Sequence, residues 1–154
     1  MKTFPGRLHH KTPAWVPELS IFHVRISQAE DSTGTLTDDD VAKALLNSFH
    51  VYNRLQRWSC MLAVLMPDHL HALLSFGRNQ SMSVVVKDWK SYHKRTNGIK
   101  WQDNYFDHRI RTSAEYTEKY HYMLRNPVAL GLCSTPEEWP WKTMAMVEEG
   151  TPLF

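Results

Sequence analysis

The segment from Trp58 to Phe76 limits the fold more than any other part of this chain. It holds two apolar runs, residues 58–66 and 69–76, with the dipeptide Pro67-Asp68 between them. Apolar runs joined by a short turn-forming pair are typical of a β-hairpin. The longest uninterrupted apolar stretch, Met61 to Met66, is far shorter than the roughly 18 residues that suggest a membrane span. We therefore expect two buried antiparallel strands and no membrane association.

Periodicity on either side of the hairpin completes the fold prediction. The further predicted elements are strands over residues 20–27 and 105–110 and helices over about residues 37–55, 82–95 and 113–126. Pro127 is expected to end the last helix, because a proline restricts the residue before it. The resulting order of elements predicts an α+β fold. In this fold, helices cover one face of an antiparallel sheet, as in ferredoxin-like and RRM-like domains.

Length and composition favour a single globular domain over residues 1–154. Hydrophobic residues make up 42% of the chain and charged residues 22%, close to the globular average. Residues 1–19 contain three prolines and are expected to form an extended arm, and residues 127–154 a tail packed on the domain. The two cysteines are too few for a disulfide framework, and the start lacks the apolar stretch of a signal peptide. We therefore expect a cytoplasmic protein.

Charge is distributed unevenly, although the net charge is only +2. Residues 78–111 contain eight Lys or Arg and three Asp or Glu, whereas residues 28–40 contain five acids and no Lys or Arg. A basic segment beside an acidic edge can bind a polyanion on one side and repel it on the other. An ordinary solvated surface explains so modest an asymmetry equally well.

The sharpest local feature is the pair His69 and His71 on the second strand of the hairpin. Residues two apart on a strand point to the same face, so two imidazoles can bind one metal ion while Leu70 faces the core. Because the chain contains nine histidines, a chance pair on a half-exposed strand is the alternative.

Helical spacing in the third helix separates two neighbouring tyrosines. Tyr120 lies on the apolar stripe, whereas Tyr122 shares a polar stripe with Asn126, one turn later. A phenol and an amide so placed can reach the same point in space. The alternative is a surface tyrosine followed by an asparagine that stops the helix.

Three stretches of this chain together resemble the REP-associated tyrosine transposases, relatives of the single-tyrosine insertion-sequence transposases with a histidine–hydrophobic–histidine (HUH) motif. They are residues 66–71 (MPDHLH), residues 101–111 (WQDNYFDHRIR) and residues 121–128 (HYMLRNPV). The resemblance spans about residues 9–141 and implies the HUH endonuclease fold. One departure is Leu124-Arg125, where the family often has less charged residues.

The resemblance implies a role for each matching residue. Tyr122 would be the nucleophile that attacks a DNA phosphodiester, giving a 5′-phosphotyrosine and a free 3′-OH before strand transfer. His69, His71 and Asn126 would bind a divalent metal, usually Mg²⁺ or Mn²⁺, and the residue types also suit Zn²⁺. His108 is a further candidate as a proton shuttle or phosphate donor, with a structural hydrogen-bonded histidine as its alternative.

DNA binding would fall to basic and aromatic side chains. The candidates are Lys87, Lys90, Lys94, Arg95, Trp101, Arg109, Arg111 and Arg125. Basic groups neutralise phosphates, and an aromatic ring can stack on a base. Trp101 is equally suited to the core, and Arg125 to an exposed surface without a ligand.

The predicted function is that of a metal-dependent DNA transposase acting on single-stranded or hairpin DNA, such as repetitive palindromes, at the bacterial nucleoid. One alternative is a metal-dependent nuclease that activates water. It lacks a carboxylate ligand, since Asp68 would point away from His69 if it belongs to the same strand. Another is a domesticated, non-catalytic module that binds single strands. No dimer stripe is evident, which favours a monomer over a dimer.

Overall fold

The computed structural model describes residues 20–144. The expected arm (1–19) and the end of the expected tail (145–154) lie outside the described residues. The elements are β1 (Ile21–Ser27), α1 (Asp39–Arg54), β2 (Ser59–Leu65), β3 (His69–Ser75), α2 (Met82–Asn97), β4 (Phe106–Ile110), α3 (Ser113–Ala129), a short 3-10 helix (Pro136–Glu138) and β5 (Lys142–Met144). None of the helices within residues 20–144 is long and apolar enough to cross a membrane.

The five strands form one sheet in the order β4-β1-β3-β2-β5, and every neighbouring pair is antiparallel. The first four strands and the two helices between them follow the ferredoxin-like plan. The prediction of an α+β fold built on an antiparallel sheet is therefore confirmed. The predicted hairpin is present as β2 and β3, which pair from Leu65 and Leu70 outward.

One detail differs from the prediction, because helices cover both faces of the sheet. α1 and α2 pack on the face that carries Phe22 and Val24. On the other face, Met123 of α3 is buried against Ile21 and Leu73. The reason is that β2 is apolar on both faces and β3 carries Leu73 beside its histidines on the α3 side, so a single layer of helices would leave apolar side chains in water. A face covered by α3 also buries the histidines that lie on it.

α3 extends past the predicted stop at Asn126. Pro127 lies inside the helix, which ends at Ala129. Residues after the proline close the last turn, since the N–H of Leu130 donates to the carbonyl of Asn126 at 3.1 Å. The burial of Asn126 and Pro127 holds this turn against the sheet. Asn126 therefore keeps helical geometry relative to Tyr122.

The segment after α3 returns to the edge of the sheet at β2. The N–H of Leu65 donates to the carbonyl of Trp141 at 2.8 Å, and Trp139 Nε1 donates to the carbonyl of Leu65 at 2.9 Å. β5 then pairs with β2. These contacts cover the outer edge of an otherwise unprotected apolar strand.

A buried polar network joins α1 to α2 on the opposite side of the sheet from α3. Ser48 Oγ accepts from Trp89 Nε1 at 2.7 Å and contacts His93 Nε2 at 2.9 Å, while donating to the carbonyl of Leu45 at 2.6 Å. Asn97 Nδ2 lies 2.8 Å from His93 Nδ1. A neutral His93 that donates from Nε2 and accepts at Nδ1 satisfies every partner. Burial lowers the pKa of His93 from 6.5 to about 4.

This network predicts an acid-sensitive fold. Between pH 6.5 and 4 the unfolded chain binds a proton at His93 that the folded chain does not, so stability falls as pH falls. Protonation of His93 in the unfolded chain is expected to lower the free energy of unfolding by on the order of 3 kcal/mol over this pH range. Urea unfolding of wild type and His93→Gln at pH 7 and pH 4.5 measures it. We expect a smaller acid loss in the variant, and an equal loss in both proteins would contradict the assignment.

Candidate functional site

The two histidines of β3 lie between the sheet and α3. Antiparallel pairing places His69 opposite Ser27 and His71 opposite Arg25 on β1. The intervening Leu70 belongs to the core on the other face. The exposed fractions of His69 and His71 are only 7% and 3%. Their ring centroids lie 4.9 Å apart with the planes nearly perpendicular, so two imidazoles share one small volume, as their spacing predicts.

His71 is held from both sides through its two ring nitrogens. Its Nδ1 lies 2.9 Å from His23 Nε2, on β1, and its Nε2 lies 3.0 Å from the side-chain Nδ2 of Asn126, on α3. Burial is the main reason why its pKa falls from 6.5 to about 2, with neighbouring histidines and the cations Arg25 and Lys119 adding to it. His71 is therefore neutral, which is the form that can bind a metal ion.

His69 is oriented by the residue before it. Its Nδ1 donates to Asp68 Oδ1 at 2.7 Å. Burial lowers the pKa of His69, while the carboxylate opposes that shift, and the same bond lowers the pKa of Asp68. Asp68 precedes β3, which begins at His69. The expectation that Asp68 points away from His69 applied only if Asp68 belongs to the strand, and that condition is not met.

Tyr122 lies at the entrance of this group, and Asn126 lies inside it. The Tyr122 side chain is 50% exposed, and its ring centroid lies 5.9 Å from that of His71 in an edge-on arrangement. Asn126, one turn later, is 8% exposed and contacts His71. The neighbouring Tyr120 packs against the core, and burial raises its pKa. α3 therefore points one tyrosine into the protein and the other towards solvent beside the histidines.

His108 lies on the same face but is engaged elsewhere. It stands opposite His23 on β1, and its Nε2 lies 2.8 Å from Glu115 Oε2. Glu115 precedes Tyr122 by seven residues, or about 10 Å along the helix. The other oxygen of Glu115 accepts from the N–H of Arg111 at 2.9 Å. Through these two contacts Glu115 connects β4 to the start of α3, so His108 has a structural role. Its catalytic role stays a prediction.

Half of the eight predicted DNA-binding residues lie together on one helix. Four of them lie on α2, on the opposite face of the sheet from His69 and Tyr122; they are Lys87, Lys90, Lys94 and Arg95. Lys90 is partly engaged, since its Nζ donates to the carbonyl of Gln102 at 2.7 Å. Trp101 Nε1 donates to the carbonyl of Lys90 at 3.0 Å, and its ring packs against the core. Trp101 therefore also serves the fold.

The arginines among the candidates are more dispersed. Arg109 lies opposite Phe22 in the pairing of β4 with β1, so it is on the face of the sheet that α2 covers. Arg111 is exposed just after β4. Arg125 is exposed on α3, directly before Asn126. The structure therefore does not gather the predicted cations at the histidine pair.

Sequence reasoning missed three residues that lie close to the histidine pair. His23 contacts His71, and Arg25 is exposed directly opposite it. The Lys119 ammonium lies 6.0 Å from the centroid of the Tyr122 ring. Alternation along β1 already places His23 and Arg25 on one face, but only the register of β1 against β3 shows that this face is the one with His71.

The donor set fits a divalent metal ion. Within residues 20–144 no group of three or more His, Cys, Asp or Glu is placed to hold a metal, so two imidazoles and one amide are what the site offers. The 3.0 Å between His71 Nε2 and the Asn126 amide matches the separation of neighbouring ligands about 2.1 Å from one ion. If the side-chain amide of Asn126 turns by half a rotation, its oxygen replaces its nitrogen on the side that would face the ion. Only three protein ligands leave positions for a substrate.

Comparison with known proteins places this architecture in a family. A family model described as "Transposase IS200 like" matches residues 26–125. The REP-associated tyrosine transposase of Escherichia coli (strain K12) is 26% identical over 83 residues, which are 52% of this chain and 50% of that protein. The match thus spans about half of the length of that relative.

A solved structure shares the fold. The REP-associated tyrosine transposase bound to a REP hairpin superposes with a TM-score of 0.72 at 19% identity, over 86% of this chain and 81% of that one. The family match covers the histidine pair and Tyr122 on a ferredoxin-like sheet. On this evidence the chain belongs to the IS200-like transposase family.

Proposed function

We propose that this protein is a metal-dependent transposase that cuts and rejoins single-stranded DNA through a covalent bond to Tyr122. One observation carries the proposal. The solvent-exposed phenol of Tyr122 lies beside His71, which is buried and neutral, and His71 also contacts the amide of Asn126, one helical turn after Tyr122. The nucleophile and the proposed ligands thus converge on one point that a phosphate can reach from solvent.

The reaction follows from these positions. The Tyr122 oxygen loses its proton and bonds to phosphorus, the P–O3′ bond breaks, and the leaving 3′ oxygen takes up a proton. The resulting 5′-phosphotyrosine conserves the energy of the phosphodiester, so a second 3′-OH can attack it and restore the DNA chain without ATP. A divalent ion held by His69, His71 and Asn126, Mg²⁺ or Mn²⁺, would stabilise negative charge on the phosphoryl oxygens.

Two cations would hold the phosphate in this position. Arg25 stands opposite His71, and Lys119 lies beside the Tyr122 ring. Burial is the main cause of the low pKa values of His71 and His23, and both cations lower these pKa values further, so positive charge surrounds the site. Such charges attract a phosphodiester and stabilise the negative charge that the phenol acquires as it loses its proton.

Hairpin DNA is the substrate that we propose. The related solved structure is described as bound to a REP hairpin. Here the basic side chains of α2 lie across the sheet from Tyr122, so they would contact the DNA backbone away from the cut. The bacterial nucleoid is the place of action that we propose for an enzyme with this substrate.

A monomer would suffice for the reaction. His69, His71, Tyr122 and Asn126 come together within one chain, so no partner subunit is needed to complete the site. Relatives that share active sites between subunits would place the tyrosine against the histidines of the other copy.

Tyr122→Phe should abolish the covalent adduct. With end-labelled hairpin DNA and Mn²⁺, we expect wild type to form a complex that survives boiling in detergent, and the variant to lose it by more than about 10³-fold. Tyr120→Phe is the matched control, since that ring is part of the core. Undiminished adduct in Tyr122→Phe would overturn the nucleophile. Metal-dependent cleavage without any adduct would instead favour water as the nucleophile, and binding without cleavage a non-catalytic module.

Mixing two inactive variants tests whether the site is complete in one chain. We expect Tyr122→Phe and His71→Gln to remain inactive when they are mixed, because each chain lacks one part of its own site. The readout is the same denaturing gel, with each variant alone as the control. Recovery of the adduct in the mixture would show that subunits share active sites.

Removing either cation near Tyr122 should slow the reaction. A charge-assisted hydrogen bond contributes about 1.5–3 kcal/mol, so Arg25→Gln and Lys119→Gln should each lower the single-turnover rate about tenfold or more. Lys43→Gln is the control, because Lys43 is exposed on α1 and pairs with Asp39. Rates equal to that of Lys43→Gln would exclude a phosphate-binding role for these cations.

A further inference from the structure

A third histidine lies behind the pair. His23, on β1, is 6% exposed and lies edge to edge with His71, with ring centroids 5.1 Å apart and planes inclined by 22°. The ring of Phe106, on β4, also contacts His23, with centroids 5.8 Å apart and planes inclined by 69°. The ring of His23 is therefore held by two neighbouring rings, with its Nε2 directed at His71 Nδ1.

The hydrogen bonds around His71 define which of its nitrogens carries the proton. The Asn126 Nδ2 group can only donate, so the His71 Nε2 that faces it accepts and holds a lone pair. A neutral His71 then carries its proton on Nδ1, which donates to His23 Nε2. His69 has a corresponding arrangement, since its Nδ1 donates to Asp68. Each histidine of the pair thus has its Nδ1 occupied by a partner and its Nε2 left with the lone pair.

We propose that His23 is a positioning residue that holds His71 in the Nδ1-protonated tautomer and thereby presents its Nε2 lone pair to the metal ion. This inference rests on the proposed role of His71 as a ligand. It assigns His23 the task for His71 that the carboxylate of Asp68 performs for His69. Outer partners of this kind fix the ring orientation and basicity of ligating histidines.

Without an acceptor at His23, the alternative tautomer becomes accessible to His71. Its proton would then lie on Nε2, where the Asn126 oxygen can accept it after a half-turn of the amide. In that state the lone pair lies on Nδ1 and points towards residue 23, and the nitrogen that faces Asn126 cannot bind a metal. Because this closed state competes with metal binding, loss of the acceptor should weaken metal affinity about 10- to 100-fold.

Two substitutions separate the acceptor from the bulk of the ring. His23→Phe keeps an aromatic ring beside His71 and Phe106 but removes the acceptor. His23→Gln keeps an acceptor that can reach the position of Nε2. His50→Phe is the control, because His50 is exposed on α1. Thermal unfolding identifies any variant that has lost its fold.

The experiment has two readouts, one of which needs no metal. Long-range ¹H–¹⁵N NMR spectra of the metal-free wild type report which nitrogen of His71 is protonated. Electron paramagnetic resonance of free Mn²⁺ during titration reports affinity. We expect a protonated Nδ1 and an unprotonated Nε2 in wild type. Mn²⁺ affinity should fall about 10- to 100-fold in His23→Phe and stay close to wild type in His23→Gln and His50→Phe.

Two results would overturn the role of His23. One is a wild-type His71 protonated at Nε2, and the other is a folded His23→Phe with wild-type Mn²⁺ affinity. If His23→Phe does not fold, a weakened affinity in His23→Gln equal to that of His71→Gln would also contradict the inference. Wild type that shows the expected tautomer but binds no Mn²⁺ would support the His23 contact and overturn the proposed metal site.

Discussion

The covering of the sheet on both faces is the constraint on which the site depends. β2 is apolar on either side, so α1 and α2 pack on one face and α3 on the other. Burial beneath α3 removes water from His71, and every polar group there must find a protein partner. Asn126 and His23 supply those partners from opposite sides. The same packing that stabilises the fold therefore orients the proposed metal ligands.

The sequence predicts what depends on neighbours along the chain. Strand alternation places His69 and His71 on one face, and helical spacing distinguishes Tyr122 from Tyr120; the structure agrees with both. The sequence does not predict the contacts that depend on strand register. Arg25, for example, lies opposite His71 only because β1 pairs with the distant strand β3. The side of the sheet on which α3 packs is likewise determined by tertiary contacts and not by the local sequence.

The structure shows that the predicted DNA-binding side chains of α2 lie apart from the proposed catalytic residues. The basic side chains of α2 and the proposed nucleophile lie on opposite faces of one sheet. A hairpin that contacts both must pass around an edge of the sheet. The cations that lie near Tyr122 are instead Arg25 and Lys119, from β1 and α3. Binding and cleavage are therefore expected to depend on different basic residues.

Mass spectrometry of the covalent adduct tests the central claim most directly. Trypsin cleaves after Lys119 and Arg125, and the peptide between them contains both Tyr120 and Tyr122. Digestion of the protein–DNA complex with trypsin and nuclease, followed by fragmentation, locates the nucleotide. The account predicts a phosphodiester-linked nucleotide on Tyr122 and an unmodified Tyr120. A nucleotide on Tyr120, or on any other residue, would contradict it.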